Sequence, residues 1–449
     1  MKKYIFVLLM GTLLFSGCSL YQKYESNATV PDDVMGDIAN PQDTTSMGNL
    51  DWRDIFKDAK LQQLIEKAWN NNTDMRTAQL SIEQAQNELS AARWGYVPTL
   101  SLTPQATYTY NSGASAFNVS VPVTASWQLG IFGQTATNIK KAKAQVGYTE
   151  DYRQAVQVSL ASNVANLYYS LVMLDRQLEI AVETEGLWEE SLESTRALYE
   201  AGIYKSPAVY QMEASLAEVR TEIMELRNSI TTTEASLCKL LAESPHHIDR
   251  ASFNAFEVPE ELHLGLPVNL LSARPDVRVA ERNMEIAFYG KQQAFQSFFP
   301  SLTIDGVFGL ATVNPAQIMA QAVASLAQPI FAGGKLNAQL KNAKANQEKA
   351  QLAFVQALLD AGNEVYQYWH VFQTAQAKST FIDTRVNALQ EAFSATSELM
   401  DNGSTTYLEV LTAQESLLSA QLSQVNNQYE IIQSLINLYT SLGGFGTKE

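Results

Sequence analysis

Cysteine occurs only at Cys18 and Cys238 in 449 residues, which excludes a disulfide framework. Charged residues make up only 17% of the chain and glycine numbers only 22, a composition suited to long helices packed on one another without a highly charged outer face. The net charge is −16 and no basic run interrupts it, so the electrostatic footprint of a nucleic-acid-binding protein is missing. Catalytic signatures are missing too. Gly333-Gly334-Lys335 lacks the upstream Gly and the following Ser or Thr of a phosphate loop, and neither Gly-x-Ser-x-Gly nor His-Glu-x-x-His occurs. His246, His247, His263 and His370 are adjacent or scattered rather than at ligand spacing. Neither a cofactor nor a metal site is expected, and no enzymatic activity.

What is present is a duplication. Asp74, Arg76 and Ala78 stand where Asp276, Arg278 and Ala280 stand, and Val97-Pro98-Thr99-Leu100 answers to Phe299-Pro300-Ser301-Leu302, both at a spacing of 202 residues. Ile131-Phe132-Gly133 corresponds to Ile330-Phe331-Ala332-Gly333, and Leu198 through Gly202 to Leu399 through Gly403, as the spacing drifts between 199 and 202. Solenoid repeats have periods of only about 20–50 residues, so one long spacing reads as a module copied once.

The N-terminus reads as an address. Lys2-Lys3, an apolar run from Tyr4 to Phe15 and Ser16-Gly17-Cys18 form a signal peptide over 1–17, too short for a membrane helix, which needs about 20 apolar residues. Phe15-Ser16-Gly17-Cys18 resembles a bacterial lipobox, which would make Cys18 an acylated first residue; an ordinary cleaved signal is the alternative. Residues 18–58, polar and punctuated by Pro31 and Pro41, read as an extended strap. The first repeat then covers 59–242, a connector 243–271, the second repeat 272–442 and a tail 443–449.

Two strands of period two follow the first helical stretch. From Leu100 to Tyr110 the odd positions are Ser, Thr or Gln, and from Phe117 to Leu129 the odd positions are apolar and the even ones polar except Pro122. About 11 residues tilted by about 45° cross a bilayer's hydrocarbon core, and aromatics at the ends suit its interfaces. A soluble sheet with one wet face is the alternative. A weaker copy of the hairpin runs over Leu302–Thr312 and Ile318–Ile330. Four strands cannot close a barrel, and membrane barrels begin at about 8 strands, so spanning strands require oligomerisation.

Helix lengths add a second constraint. Thr137–Ala201 and Asn337–Asp401 are 65 residues each, about 100 Å at the helical rise, flanked by shorter helices over Ala59–Trp94, Pro207–Ala242, Pro275–Phe298 and Thr405–Leu442. Each copy thus predicts an antiparallel pair of long tracks, one continuous and one broken; a coiled-coil stalk is the plainer alternative. At the ends of the long helices, Gly202 and Gly403 suit the left-handed position after a helix. Ser206 and Pro207 are expected to cap and open the next helix, and Ser404 serves the second turn. Arg274, Pro275 and Asp276 are read as architectural, a Pro-initiated helix with acids near its positive end and Arg274 paired locally.

Together, the duplicated module, Arg274-Pro275-Asp276-Val-Arg278-Val-Ala-Glu281, Phe299-Pro300-Ser301-Leu302, Pro329-Ile-Phe-Ala-Gly-Gly334 and the twin Gly turns resemble the TolC-type outer-membrane factors, in particular the lipidated multidrug-efflux branch. The likeness spans about Trp52 to Gly444. It implies a mostly α protein with a transmembrane β-barrel. As a homotrimer, its four strands per chain would complete a 12-stranded barrel and its helical hairpins a periplasmic α-barrel. The connector, strap and C-terminus would form a belt around that α-barrel.

The partners it implies are outer-membrane lipid, a periplasmic adaptor (membrane fusion protein) at the Gly202 and Gly403 turns, and an inner-membrane RND-type pump. In that family acidic residues beyond the second Gly turn close the periplasmic end. By position these fall on Glu409, retained, and Thr412, where the acid is absent, with Asp401 a further gate candidate. A helix-dipole role is the alternative for Glu409. The function implied is a passive exit duct of a tripartite efflux system. The outer duct of type I protein secretion and a non-channel periplasmic scaffold lipoprotein are the competing readings.

Overall fold

The computed structural model describes residues 23–25, 38, 47–111, 113–253, 274–312, 317–402 and 404–445. The proposed signal peptide, Cys18, most of the strap, residues 254–271 of the connector, Gly403 and the last four tail residues lie outside the described residues. The elements are α1 (Trp52–Ile55), α2 (Ala59–Asn71), α3 (Thr73–Trp94), β1 (Thr99–Leu102), β2 (Gln105–Asn111), β3 (Ala114–Leu129), α4 (Gln134–Glu200), α5 (Ser206–Leu240), α6 (Pro275–Gln296), β4 (Ser301–Thr312), β5 (Gln317–Ala327), α7 (Lys335–Asp401) and α8 (Tyr407–Ser441). The two long helices are 67 residues each and the two returning helices 35 each. None of the described helices is long and apolar enough to cross a membrane.

In the first helical stretch and the hairpins, three expectations need correction. The helix expected over 59–94 is two, because Asn72 takes an extended backbone (φ −60°, ψ 136°) and its carbonyl oxygen Oδ1 accepts the N–H groups of Asp74 and Met75, restarting the helix. The strand expected over 100–110 is interrupted at Pro104, which has no N–H to donate, although β1 and β2 both pair with β3 in one register. Thr103 bridges the gap by donating to the Pro122 carbonyl, 3.1 Å. The last strand stops at Ala327, ahead of Pro329, rather than at Ile330.

The strands form one antiparallel sheet in the order β1-β3-β4-β5, with β2 also on β3. β3 and β4, from different copies, pair over eleven residues from Val119↔Thr312 to Leu129↔Leu302. Register sorts most of the side chains by polarity, with Val307 and Val323 falling among the polar ones. Leu100, Val121, Val123, Trp127, Ile304, Phe308, Leu310, Ile318 and Leu326 share one face, and Ser101, Thr124, Ser126, Gln128, Thr303, Asp305, Gln321 and Ser325 the other.

The chain's contacts form two compact units, each drawing on both copies. The first gathers 78–152 and 276–357. Beside the sheet it holds a small core of Ala144, Phe288 and Tyr289 with Tyr24 packed edge-on to Phe288, rings 5.7 Å apart. Arg278 and Arg282 of α6 both pair with Asp151 of α4, at 2.9 and 3.1 Å.

The second unit gathers 31–77, 153–275 and 358–449. An aromatic cluster anchors it: Phe56 stacks on Phe445 at 5.4 Å, and Tyr439 meets Phe445 edge-on at 5.0 Å. The start of the connector is pinned by charge. The nearly buried Arg250 guanidinium reaches Glu234 at 2.5 Å and Asp175 at 2.7 Å, while Tyr168 donates to Asp58 and accepts the Ala251 N–H. Burial works to raise the Glu234 carboxyl, but hydrogen bonds from Arg250 and the Ile248 N–H outweigh it and hold Glu234 below the usual carboxylate range.

Candidate functional site

The candidate site is the pair of turns that end the long helices. After α4, Gly202 takes φ +75°, its N–H donates to the Tyr199 carbonyl and the Ile203 N–H donates to Leu198, both 2.9 Å. This is the Schellman closure that satisfies a helix's last carbonyls, and a β-carbon here would meet nothing within 4 Å, so the demand for glycine is one of backbone angle. After α7, which ends at Asp401, the Ser404 N–H donates to Leu399 at 2.8 Å, the same six-residue closure.

Ser206 does not cap α5, contrary to expectation. Lys205 is the capping residue and makes no side-chain cap bond, while Ser206 and Pro207 occupy the first two helical positions, where an absent N–H costs nothing. The second returning helix likewise begins at Tyr407 after an uncapped Thr406, not at Thr405.

Both turns belong to the second unit and touch. The Tyr204 and Tyr407 rings meet edge-on at 5.6 Å, and the Tyr407 hydroxyl donates to Gln211 at 2.6 Å. Behind them a core of Ala181, Trp188, Leu192, Met212, Leu216, Val219 and Ile223 reaches Leu411 of the second copy. Arg196–Glu213 at 2.6 Å and Arg220–Glu185 at 2.7 Å staple α4 to α5.

Glu409 stands in the first turn of α8, exposed, and accepts from the Thr405 hydroxyl. Thr412, one turn on, is also exposed and returns its hydroxyl to the Leu408 carbonyl at 2.8 Å. One turn further comes Glu415, which the sequence reading passed over although it repeats the three-residue step from Thr412. It accepts from Ser215 at 3.2 Å and lines a cleft of about 560 Å³ with Trp188, Glu218, Glu222 and Asn426. Burial, then Glu218 and Glu225, raise the Glu222 carboxyl above its usual range. The cleft thus sets three carboxylates, Glu218, Glu222 and Glu415, beside the apolar Trp188, Val219, Leu418 and Leu422.

Arg274 itself lies elsewhere in the second unit and has partners far along the chain. The buried Arg274 donates to the Ser441 carbonyl at 3.0 Å and to Glu364 at 2.7 Å, partners 167 and 90 residues away. A cation there satisfies the carbonyl-rich end of α8. Pro275 opens α6, the Asp276 carboxylate accepts the Val277 N–H at 3.0 Å, and Pro300 directly precedes β4.

Comparison with known proteins places this architecture. The family described as outer membrane efflux protein matches residues 64–243 and 266–444. The cation efflux system protein CusC of Escherichia coli O6:H1 is 26% identical over 446 residues, covering 96% of each chain. The toluene efflux pump outer membrane protein TtgC of Pseudomonas putida is 25% identical over 469 residues, covering 99% of this chain and 96% of its own. Among solved structures, the outer-membrane channel OprN superposes with a TM-score of 0.85 at 22% identity, over 95% of this chain and 99% of its own.

Proposed function

The chain belongs to the outer membrane efflux protein family, and from that premise we propose that it works as a homotrimeric exit duct. Small molecules reach it from an inner-membrane RND-type pump through a periplasmic adaptor and leave through its barrel. The observation that carries this reading is the sheet. It has one continuous apolar face, one mainly polar face and unpaired outer edges at β1/β2 and β5 among the described residues, and lipid tolerates no open edge.

The duplication says how the edges close. Within the chain, Phe132 of the first copy packs on Phe299 of the second, rings 5.2 Å apart. Its counterpart Phe331 is 89% exposed, and Val97, the counterpart of Phe299, is 46% exposed. Copy two should therefore meet copy one of the neighbour as copy one meets copy two within the chain, setting Phe331 on Val97 of the partner subunit. β5 would then pair with the partner's β1 and β2.

The two turns each follow a 67-residue helix that begins within eight residues of a strand, so they are the natural adaptor-facing ends. Gly202, Ser206, Pro207, Gly403 and Ser404 form that docking edge, Glu409 with Asp401 and Thr412 the gate, and Cys18 the lipid anchor. CusC and TtgC are named for cations and for toluene at nearly equal identity, so the cargo is not assigned by likeness.

Reconstitution tests the duct. Purified protein should form trimers that give discrete single-channel currents, and Val97→Cys combined with Phe331→Cys should cross-link between chains. Trimers that cross-link yet never conduct, even after Glu409→Gln, would leave a scaffold as the better reading.

A further inference from the structure

Between Arg93 and Lys140 the sequence contains no Asp, Glu, Lys, Arg or His, and between Lys291 and Lys335 it contains one, Asp305. Both hairpins lie inside these intervals, so Asp305 is the sole formal charge in the strands. It sits opposite Ser126 across the β3–β4 ladder, and the Ser126 hydroxyl donates to its Oδ1 at 2.6 Å. The register puts it on the face of Thr124, Gln128, Thr303 and Ser325, with Val323 opposite it on β5 and Val307 two residues on, and away from Trp127, Ile304 and Phe308.

We propose that Asp305 sets the charge selectivity of the barrel, favouring cations and cationic solutes over anions. The inference rests on the homotrimeric duct reading. If twelve strands close one barrel, every strand is one of those described, and the polar face lines its water. Three Asp305 carboxylates then stand at one level, with no basic side chain in any strand to neutralise them. A wall of low dielectric focuses their field along the water path and enriches counter-ions there. A purely structural role, one hydrogen bond tying β3 to β4, would need no charge, since the amide oxygen of Asn accepts equally well.

That last point makes Asp305→Asn the decisive variant, because it keeps the Ser126 bond and removes only the charge. Reversal potentials of reconstituted trimers across a salt gradient should show cation preference in the wild type, a severalfold lower permeability ratio in Asp305→Asn, and recovery in Asp305→Glu. The difference should be large at 0.1 M salt, where charges act over about 10 Å, and small at 1 M, where they act over about 3 Å. An unchanged ratio in Asp305→Asn overturns the assignment.

Local labelling reads the same field even where the far end of the duct is shut. With Thr303→Cys on the same face, a cationic thiosulfonate reagent should react severalfold faster than an anionic one, and adding Asp305→Asn should equalise the two. Equal rates before that change overturn the role of Asp305 while leaving the duct intact. No reaction with either reagent shows a dry face, and then the duct reading fails and the inference with it.

Discussion

Asn72 and Arg274 hold the same place in the two copies, 202 residues apart, and do the same work with different chemistry. Asn72 donates to the carbonyl of Leu240, the last residue of α5, at 2.9 Å; Arg274 donates to the carbonyl of Ser441, the last residue of α8, at 3.0 Å. Each ties the start of one helix to the end of a returning one and supplies a donor that the last turn lacks. The difference follows from what else is near. Arg274 has Glu364 at 2.7 Å, whereas the matching position of the first copy is the uncharged Asn163, so a neutral amide suffices there. Duplication preserved the geometry of the contact and let its charge diverge.

The sheet offers the largest test of whether the copies remain equivalent. Val121 of β3 and Ala320 of β5, 199 residues apart, lie on the apolar face. Val121→Arg and Ala320→Arg should each cost about 2–4 kcal/mol of membrane stability near mid-bilayer, with Thr124→Arg far milder. Folding titrations into lipid vesicles measure this, and equal tolerance of all three would end the spanning assignment.

The Asn72 and Arg274 pair comes next. Arg274→Ala should cost about 1.5–3 kcal/mol, because charge-assisted hydrogen bonds are lost and a buried helix-end carbonyl is left bare. Asn72→Ala should cost about 1–2 kcal/mol through its lost cap. Arg274→Asn should fall below Arg274→Ala in denaturant melts if the copies share geometry; an identical loss would show that only the charge counts.

At the turns, Gly202→Val forces a β-branched residue toward positive φ and should cost at least about 1 kcal/mol, and Gly403→Val makes the matching change in the second copy. Efflux in a pump-dependent growth assay should fall with trimers and membrane insertion intact. Loss of efflux from only one variant would mean that the two turns no longer serve the same role.

The smallest folding effect separates the long helices. α4 buries Leu160, Val164, Tyr168, Leu171 and Trp188 within its own chain, while α7 leaves Leu352, Leu359 and Tyr366, seven residues apart, exposed. Replacing Leu352 and Leu359 with Gln should change the stability of the isolated chain by less than about 0.5 kcal/mol per site. Sedimentation should nevertheless show weakened trimers, and unaffected trimers would place the subunit contact on another face.

Much of this was legible in the chain because it is local. Period-two alternation marked both hairpins, the 65-residue stretches without proline fell within two or three residues of the 67-residue helices, and the Gly202 turn has the positive φ its neighbours demanded. The misses were also local in origin but tertiary in cause. Asn72 looked like one polar residue within a helical stretch, and the side chain whose oxygen caps the next helix also donates to the Leu240 carbonyl, a partner 168 residues away. Ser206 looked like a cap, yet the helix starts one residue earlier than a serine cap would allow.

By itself, then, the sequence determined the duplicated module, the helix lengths, the two-faced strands and the places where the chain reverses, since backbone stereochemistry and side-chain period act over a few neighbours. It could not say that Arg274 ends on Ser441 and Glu364, that Ser126 meets Asp305 179 residues on, or that Glu415 faces Ser215 of the first copy. Those pairings depend on which register β3 takes against β4 and how α5 lies beside α8. They arise only when the folded chain brings distant polar groups out of water together and each must find a partner.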